Sequence, residues 1–351
     1  MIINETPVRT SRNFNINNVE LENLELPNQV GKFNNINING KDTKIKIENI
    51  VDDYKLTYGL GDKLEEHVKE HANANIKMTI DSKTEKEIQI QFNFDKKSSD
   101  LIENIEIIAN PDTKETVILK YETDENEKYF HNGIIRAIVK ENAILNIVIV
   151  NLMNTKSNNF ISFENQIEKN AKIKYTIIDF GGKNSITNYY SNLYGENSEN
   201  TLNTIYLGKD EQLFDLNYIG EARGEKSKIN IEVQGALTGT SKKKFKGTID
   251  FKTGCKKAKG NENESCVLLS EKAKSLALPM LLCSEEDVEG NHSTSSGKIG
   301  EKELFYIMSR GFTEKEAMKL IVRAKFNKII SEVKNNELKE QILSEIDKRL
   351  D

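Results

Sequence analysis

Short segments of alternating apolar and polar residues follow one another through most of this chain, and three of them share a pattern. The segments 73–81, 142–151 and 170–179 each begin with Asn-Ala, continue with β-branched residues at alternate positions and end on a polar residue. The last two start 28 residues apart, at 142 and 170. Such a period is typical of stacked coils, each of which buries its apolar side only against a neighbouring coil. The repeat favours a solenoid; a β-sandwich, which also has many short strands, is the alternative.

The alternating segments predict strands throughout residues 73–297. Each is four to eight residues long, rich in β-branched residues and bounded by Asn, Gly, Asp or Lys, as strands are. The predicted strands are 76–80, 88–94, 115–121, 143–150, 171–178, 204–207, 228–233 and 247–251. We therefore predict a mainly β protein whose core, residues 73–297, is a right-handed parallel β-helix.

The residues before this core have no regular pattern. Residues 1–72 are rich in Asn and carry scattered apolar side chains and a strand-like segment at 44–50. Leu64 and Val68 lie four residues apart and predict a short helix at 61–71. We interpret this part as a loosely structured N-terminal segment with short strands and one helix.

In residues 298–351 the apolar period changes from two residues to that of a helix. Leu304 and Met308 share one face of a first predicted helix, which Gly311 is suited to end because glycine readily adopts the left-handed conformation. A capping box at 313–316 opens a second helix, and a third follows. These residues predict a small helical domain, whose apolar stripes must pack on one another, on the β core or on a partner.

Charge and composition argue against several classes of partner. Lys and Arg number 50 against 55 Asp and Glu, so the net charge of −5 gives no overall electrostatic footprint for nucleic acid. No apolar run approaches the roughly 18 residues of a membrane-spanning helix, and the N-terminal residues lack the pattern of an export signal. Three cysteines fit neither a disulfide framework nor a zinc pair. We expect a cytoplasmic protein with reduced thiols and neither a nucleic-acid nor a membrane partner.

Catalytic motifs are weak. His67 and His71 bracket an H-x-x-E-H pattern, in which two imidazoles one helical turn apart can hold zinc while the carboxylate activates water. In a chain so rich in Glu and Lys, a solvated helix face is the better explanation of this pattern. No complete phosphate-binding G-x-x-x-x-G-K-[ST] loop and no G-x-S-x-G nucleophile elbow occurs. We therefore predict no ATPase activity in this chain and no hydrolase nucleophile of this type.

The densest polar segment, 283–297, lies between the β core and the predicted helices. It combines the thiol of Cys283, several carboxylates and the imidazole of His292. Side chains of these types suit iron or zinc. A hydrogen-bonded structural histidine is the alternative interpretation of His292.

Residues 287–300, followed by 303–312, resemble the C-terminal signature of the SufB/SufD family, the scaffold proteins of iron–sulfur cluster assembly. A polar segment with a histidine, here His292, precedes a glycine–basic–hydrophobic turn and a helix of the form L-F-Y-x-x-x-R-G. The likeness extends upstream to Phe245, and the family's parallel β-helix matches the predicted core.

Within this family, the chain is more similar to SufD than to SufB. SufB-type chains follow the histidine with glutamate, where this chain has Ser293. They also carry a functional cysteine, whose place falls at Glu264 by an ungapped count back from Pro279. Cys266 lies two residues further on, and a slip of two residues in the loop 256–265 would restore it. Cys266 is therefore a weak candidate for cluster binding.

The resemblance implies a non-catalytic scaffold subunit. SufD-like chains pair with SufB through the β-helices and dock a SufC-type ABC ATPase through their C-terminal helical region. It makes His292 a ligand of iron or of a nascent iron–sulfur cluster at the shared interface. No cofactor is expected to bind stably to the chain alone, and flavin binding is left open. The candidate docking residues are Phe305, Tyr306, Arg310 and Gly311.

Three questions stay open at this point. A SufB-like chain that itself holds the cluster is one alternative function. A β-helix protein that acts on polysaccharide is another, although such proteins are normally exported. The scaffold partner is either a SufB-type chain or a second copy of this chain, because solenoid edges can pair either way.

Overall fold

The structure, a computed structural model, describes residues 1–11, 14–40, 54–81, 87–124 and 127–351, together with the backbone of 45–48. Most of these residues form strands that wind into a parallel β-solenoid of about 8 turns, followed by a small helical region. The predicted solenoid is thereby confirmed. Of the strand-like segment predicted at 44–50, Ile45–Glu48 form a strand and the other residues lie outside the described part.

The secondary-structure elements have the following bounds. Before the solenoid come β1 (Ile2–Ile3), β2 (Val19–Glu20), β3 (Ile36–Asn39), β4 (Ile45–Glu48) and α1 (Asp62–His71). The solenoid consists of β5 (Ala74–Ile80), β6 (Ile88–Phe94), β7 (Asp100–Ala109), β8 (Lys114–Thr123), β9 (Phe130–Val139), β10 (Ile144–Leu152), β11 (Asn158–Ile167), β12 (Lys172–Asp179), β13 (Asn184–Leu193), β14 (Glu199–Gly208), β15 (Leu213–Ala222), β16 (Lys228–Leu237), β17 (Lys242–Phe251), β18 (Lys259–Leu268), β19 (Lys274–Cys283) and β20 (Glu289–Lys298). The helices α2 (Glu301–Met308), α3 (Glu314–Ile330) and α4 (Asn336–Leu350) follow.

Two long sheets form the walls of the solenoid. The odd-numbered strands from β5 to β19 make one sheet and the even-numbered strands from β6 to β20 make the other. The 28-residue echo in the sequence is this stacking, since Ile144 of β10 pairs in parallel with Lys172 of β12. The third copy of the echo, at 73–81, lies in β5 and therefore in the opposite sheet.

The interior between the sheets is filled by columns of apolar side chains. One column runs through Ile147, Tyr175, Leu202 and Ile231, which are register neighbours on successive even strands. All four side chains are buried in one continuous core. Because each residue packs mainly on the turns beside it, the stack of turns stabilises the fold and no single turn does so alone.

Asparagine makes the tight corners between odd and even strands possible. Asn142, Asn170 and Asn197 adopt left-handed φ angles of 60°, 55° and 55°, which asparagine tolerates better than most residues. Each side-chain amide donates to the corner residue of the preceding turn: Asn142 to Asp112, Asn170 to Asn142 and Asn197 to Asn170. The Asn residues that bound the predicted strands are thus a ladder along one edge of the solenoid.

The N-terminal segment packs along the outer face of the odd sheet. Ile3 and Val19 join an apolar cluster with Phe160 of β11. Asn4 donates to the carboxylate of Asp215 over 2.5 Å, and the Lys246 ammonium donates to the Asn4 carbonyl over 2.6 Å. These buried polar contacts make the segment more ordered than its sequence pattern suggested.

The helices α3 and α4 cover the outer face of the even sheet. Phe326 of α3 and Ile342 of α4 pack in one cluster with Val150 and Ile178 of the sheet. The predicted capping box is present at the start of α3, where the Thr313 side chain accepts from the Glu316 N–H. None of the helices in the described part of the chain combines the length and apolarity needed to cross a membrane.

Candidate functional site at the open end of the solenoid

The two ends of the solenoid differ in how their sheets finish. At the N-terminal end, β3 and β4 pair antiparallel with β6 and β5. At the C-terminal end, β20 and β19 are the last strands of their sheets, and within the described residues neither has a further strand beside it. Every residue of β20 is exposed. A free edge presents unpaired N–H and C=O groups that can pair with a strand of another chain.

His292 lies on this open edge. The polar segment 283–297 is largely strand, because β20 begins at Glu289, and His292 is exposed in its middle. Register pairs His292 with Glu262 of β18, so the two side chains leave the sheet on the same face, about 4.8 Å apart at the backbone. Glu262 points into the solenoid, where it lies against Gly247 of the opposite sheet. His292 therefore faces the mouth of the interior.

Behind His292 the apolar interior gives way to polar side chains. Glu262 and Glu264 of β18 and Lys243 of β17 are all buried. The Lys243 ammonium lies 2.7 Å from a carboxylate oxygen of Glu264, and the Tyr206 hydroxyl donates to the same oxygen over 3.1 Å. Both carboxylate oxygens of Glu262 lack a hydrogen-bond partner. We call Tyr206, Lys243, Glu262, Glu264 and Cys266 the interior polar cluster.

Burial sets the protonation states in this cluster. Loss of water contact, assisted by the nearby charge of Glu264, raises the pKa of Glu262 to about 8. Burial likewise raises the pKa of the Cys266 thiol. In the chain by itself at neutral pH, Glu262 is therefore mostly protonated and Cys266 is mostly a neutral thiol.

The structure changes the argument about Cys266. The segment 256–265 is not one loop, because its residues from 259 onward belong to β18, which pairs with β16 over its whole length. That pairing holds Glu264 and Cys266 at fixed inward-facing positions. Because the count runs back from Pro279, a length difference that moves this place to Cys266 falls in the corner between β18 and β19, residues 269–273.

The remaining thiols lie near the same end. Cys255 is buried, and this burial raises the pKa of its thiol to about 11. Cys283, the last residue of β19, is exposed, and its thiol donates to the carbonyl of Glu285 over 2.9 Å. Neither cysteine was singled out by the family signature.

The candidate docking residues lie on and just after α2, a helix without a buried residue. Phe305 and Tyr306 are 72% and 60% exposed. The Arg310 guanidinium lies over the Tyr306 ring, 5.2 Å from its centroid, and Gly311 turns the chain after the helix with a φ of 98°. Exposed aromatic side chains gathered on one short helix are typical of a protein-binding surface.

The H-x-x-E-H pattern on α1 is structural. The Nε2 atom of His67 lies 2.8 Å from the carbonyl of Pro27, and its Nδ1 atom lies 3.1 Å from the side-chain amide of Asn132. Both ring nitrogens are engaged, so His67 has no lone pair to offer a zinc ion. Among the residues that the structure describes, no group of three or more His, Cys, Asp or Glu side chains is arranged to hold a metal ion.

Comparison with known proteins agrees with this architecture. A family model described as "SUF system FeS cluster assembly, SufBD core domain" matches residues 92–325, from β6 into α3. The iron–sulfur cluster assembly protein SufD of Bacillus subtilis is 25% identical over 252 residues, which are 71% of this chain and 58% of that protein.

Other relatives match over shorter stretches. A SufBD family protein of Pyrococcus horikoshii is 33% identical over 161 residues, or 45% of this chain and 35% of that protein. One of Synechocystis is 26% identical over 183 residues, or 52% and 37%. This chain thus spans less than two thirds of the length of each of these relatives. The model matches well over half of the chain and includes the open end, so the chain belongs to the SufBD family of the SUF system of iron–sulfur cluster assembly.

Proposed function

We propose that this chain is a SufD-like scaffold subunit of a SUF complex. It pairs with a SufB-type chain, or with a second copy of itself, and docks a SufC-type ABC ATPase. A nascent iron–sulfur cluster is assembled as cargo where the two scaffold chains meet, with His292 as one of its ligands. The chain is itself non-catalytic and keeps no cofactor when alone. The name of the Bacillus subtilis relative and the shared family support this assignment.

The open end of the solenoid is the observation that carries the proposal. Two strand edges are unpaired there among the described residues, and the exposed strand β20 carries His292. The outward face of β19 adds apolar surface, since Leu276 is 37% exposed and Leu278 and Leu282 are half-buried. Unpaired backbone groups beside exposed leucines favour a partner that adds strands to both sheets.

The imidazole of His292 is a competent iron ligand, but this chain supplies no complete ligand set among its described residues. A site shared between two chains explains both facts. Such a site can also release its cargo when the two chains separate.

The surface on α2 is suited to the ATPase. Phe305, Tyr306 and Arg310 form its exposed part, and α2 leads directly into α3, which is packed on the even sheet. A movement of the docked ATPase would therefore reach the solenoid through residues 309–313 and α3. Nucleotide binding can shift the arrangement of the scaffold pair only if the ATPase binds its two arrangements with different affinity.

Co-expression with a SufB-type and a SufC-type chain, followed by affinity capture and size-exclusion chromatography, tests the proposal. The wild-type chain should capture both partners. Leu276→Asp should lose the scaffold partner and keep the ATPase, because it places a charge beside the free edge. Tyr306→Ala should do the reverse, and Lys302→Ala, an exposed position on the same helix, should change neither. Failure of the wild-type chain to capture either partner would overturn the proposal.

Anaerobic cluster reconstitution separates this function from the SufB-like alternative. We expect a cluster only when the partner scaffold is present, and a reduced yield with His292→Ala. A stable cluster on the isolated wild-type chain would instead show that this chain holds the cluster by itself.

A further inference from the structure

Glu262 is an anomaly within the interior polar cluster. Its side chain is fully buried, yet both carboxylate oxygens lack a hydrogen-bond partner. A buried carboxyl group without partners is costly, and native structures seldom leave one unexplained. Its neighbour Glu264, two residues along the same strand, has both the Lys243 ammonium and the Tyr206 hydroxyl. The lysine is thus engaged elsewhere, and Glu262 is left available for another group.

The opposite wall makes room for this carboxyl group. Gly247 faces Glu262 across the interior, and a Cβ atom at this glycine would lie 2.3 Å from the Glu262 carboxyl carbon. Gly247 is not among the residues with positive φ, so its backbone does not require glycine. Glycine is needed at this position because the Glu262 carboxyl group occupies the volume that a side chain of residue 247 would take.

Polar side chains continue in register from Glu262 to the open end. Glu262 follows the apolar residue Ile231 in its register column, and His292 comes next, on the last strand. Further unpartnered oxygens belong to Glu264 and to Ser275, whose hydroxyl is buried on β19. The final two positions of an otherwise apolar column are therefore a carboxyl group and an imidazole.

We propose that Glu262 and His292 together bind a divalent cation at the mouth of the solenoid, and that ferrous iron is its occupant in the cell. The inference rests on the proposed function, because it assigns a second ligand at the same open end. Carboxylate oxygen and imidazole nitrogen are ligands that first-row divalent metals accept. An anion is disfavoured, since it would face two buried carboxyl groups and the ammonium of Lys243 beside them is already paired with Glu264.

Two ligands leave most of the coordination sphere to water or to the partner chain. This agrees with the lack of a complete metal site among the described residues of this chain. The Glu262 carboxylate lies deeper than His292, so it positions the cation at the interior side of the interface. Residues of the partner chain complete the sphere from outside.

The test is a titration of the purified full-length chain with Co²⁺, followed by its visible absorption bands, and with Fe²⁺ under anaerobic conditions. We expect one bound ion, and we expect Glu262→Gln or His292→Ala to weaken its binding at least about tenfold. Glu289→Gln removes an exposed carboxylate from the same strand and should change the affinity less than about twofold.

A second pair of variants tests the space itself. Gly247→Ala places a methyl group where the carboxyl group lies and should weaken Co²⁺ binding, whereas Gly297→Ala on β20 has nothing within 4 Å and should not. Thermal melting of each variant shows whether it is folded. Unchanged binding by a folded Glu262→Gln chain, or no binding by the wild-type chain at millimolar Co²⁺, overturns the inference. Partner capture by that same variant is scored separately, so the scaffold function can stand when the cation site fails.

Discussion

The two ends of the solenoid differ in the direction of their last strands and in what covers the interior. At the N-terminal end, here called the sealed end, β3 and β4 pair antiparallel with β6 and β5 and are the last described strands of their sheets. The buried ring of Phe33 covers the interior there and packs edge-on against Phe94, with 5.2 Å between centroids. The C-terminal end finishes in β19 and β20, whose edges are free in the described part of the chain. The sealed end is apolar, and the open end carries a carboxyl group, a thiol and an imidazole. A stacked fold needs protection at both ends, so the partner proposed above would cover the exposed strand β20.

The largest expected effect tests the sealed end. Phe92 is fully buried on β6, where it stacks on Tyr121 with ring centroids 5.2 Å apart. Phe92→Ala should lower the free energy of unfolding by about 3–5 kcal/mol, because it removes a large apolar side chain from a packed interior. Urea denaturation measures this change. A loss below about 1 kcal/mol would show that the sealed end is less tightly packed than the structure indicates.

The next effect belongs to the open end and depends on pH. Glu262 has a pKa of about 8 in the folded chain, against 4.5 ordinarily, so between these values the folded state holds more protons than the unfolded state. The free energy of unfolding should therefore fall as the pH rises through this window, by at most about 1.4 kcal/mol per pH unit.

Urea denaturation of the wild-type chain and Glu262→Gln at pH 6 and pH 8 measures this slope. In Glu262→Gln the free energy of unfolding should fall less steeply between pH 6 and pH 8, because the contribution of the Glu262 carboxyl group is gone. Asp179, whose burial raises its pKa to about 6, adds a slope of the same sign at lower pH, so the difference between the two chains isolates Glu262. Parallel slopes in the two chains would contradict the assignment.

A smaller effect is expected at the strand that seals the N-terminal end. Ile38 of β3 is half-buried and pairs with Ile90 of β6. Ile38→Ala should cost about 1–2 kcal/mol, since only part of its side chain is removed from contact. Hydrogen exchange should show faster exchange confined to β3 and β6. Faster exchange in β19 and β20 would contradict this prediction, because it would show that the two ends are not independent.

The smallest effect is expected on β20 itself. His292→Ala should change the stability of the isolated chain by less than about 0.5 kcal/mol, because the side chain is exposed. Hydrogen exchange on β20 should be fast in the isolated chain and should slow markedly when the scaffold partner is added. A β20 that is already protected in the isolated chain would mean that its edge is not free.

The sequence predicted a strand most clearly where only one of its faces is buried. In β5, β6 and the first part of β16 the alternation is visible, and each contributed to the prediction. In β7 nearly every residue is buried, because the N-terminal segment covers its outer face, so the two-residue period disappears. The strand β20 has no apolar residue at all, and its pairing with β18 alone makes it a strand.

In the candidate site, too, some residues were predicted from the sequence and others were found only in the structure. His292 and the residues around α2 were found through family resemblance, and the structure places them on exposed elements. Glu262 was missed, although Glu262 and Glu264 alternate with asparagines in a way that a strand would place on one face. The space opposite, at Gly247, depends on how the two sheets face each other, which no local pattern reveals.

The contact between Asn4 and Lys246 spans 242 residues and has a consequence for biosynthesis. Residues near position 4 leave the ribosome long before Asp215 and Lys246 exist, so the buried polar contacts of Asn4 cannot form until β15 and β17 have been made. Until the N-terminal segment docks, apolar side chains on the outer face of the odd sheet stay exposed to chaperones and proteases. Formation of the contact between Asn4 and Lys246 is therefore a late step, which follows the synthesis of most of the solenoid.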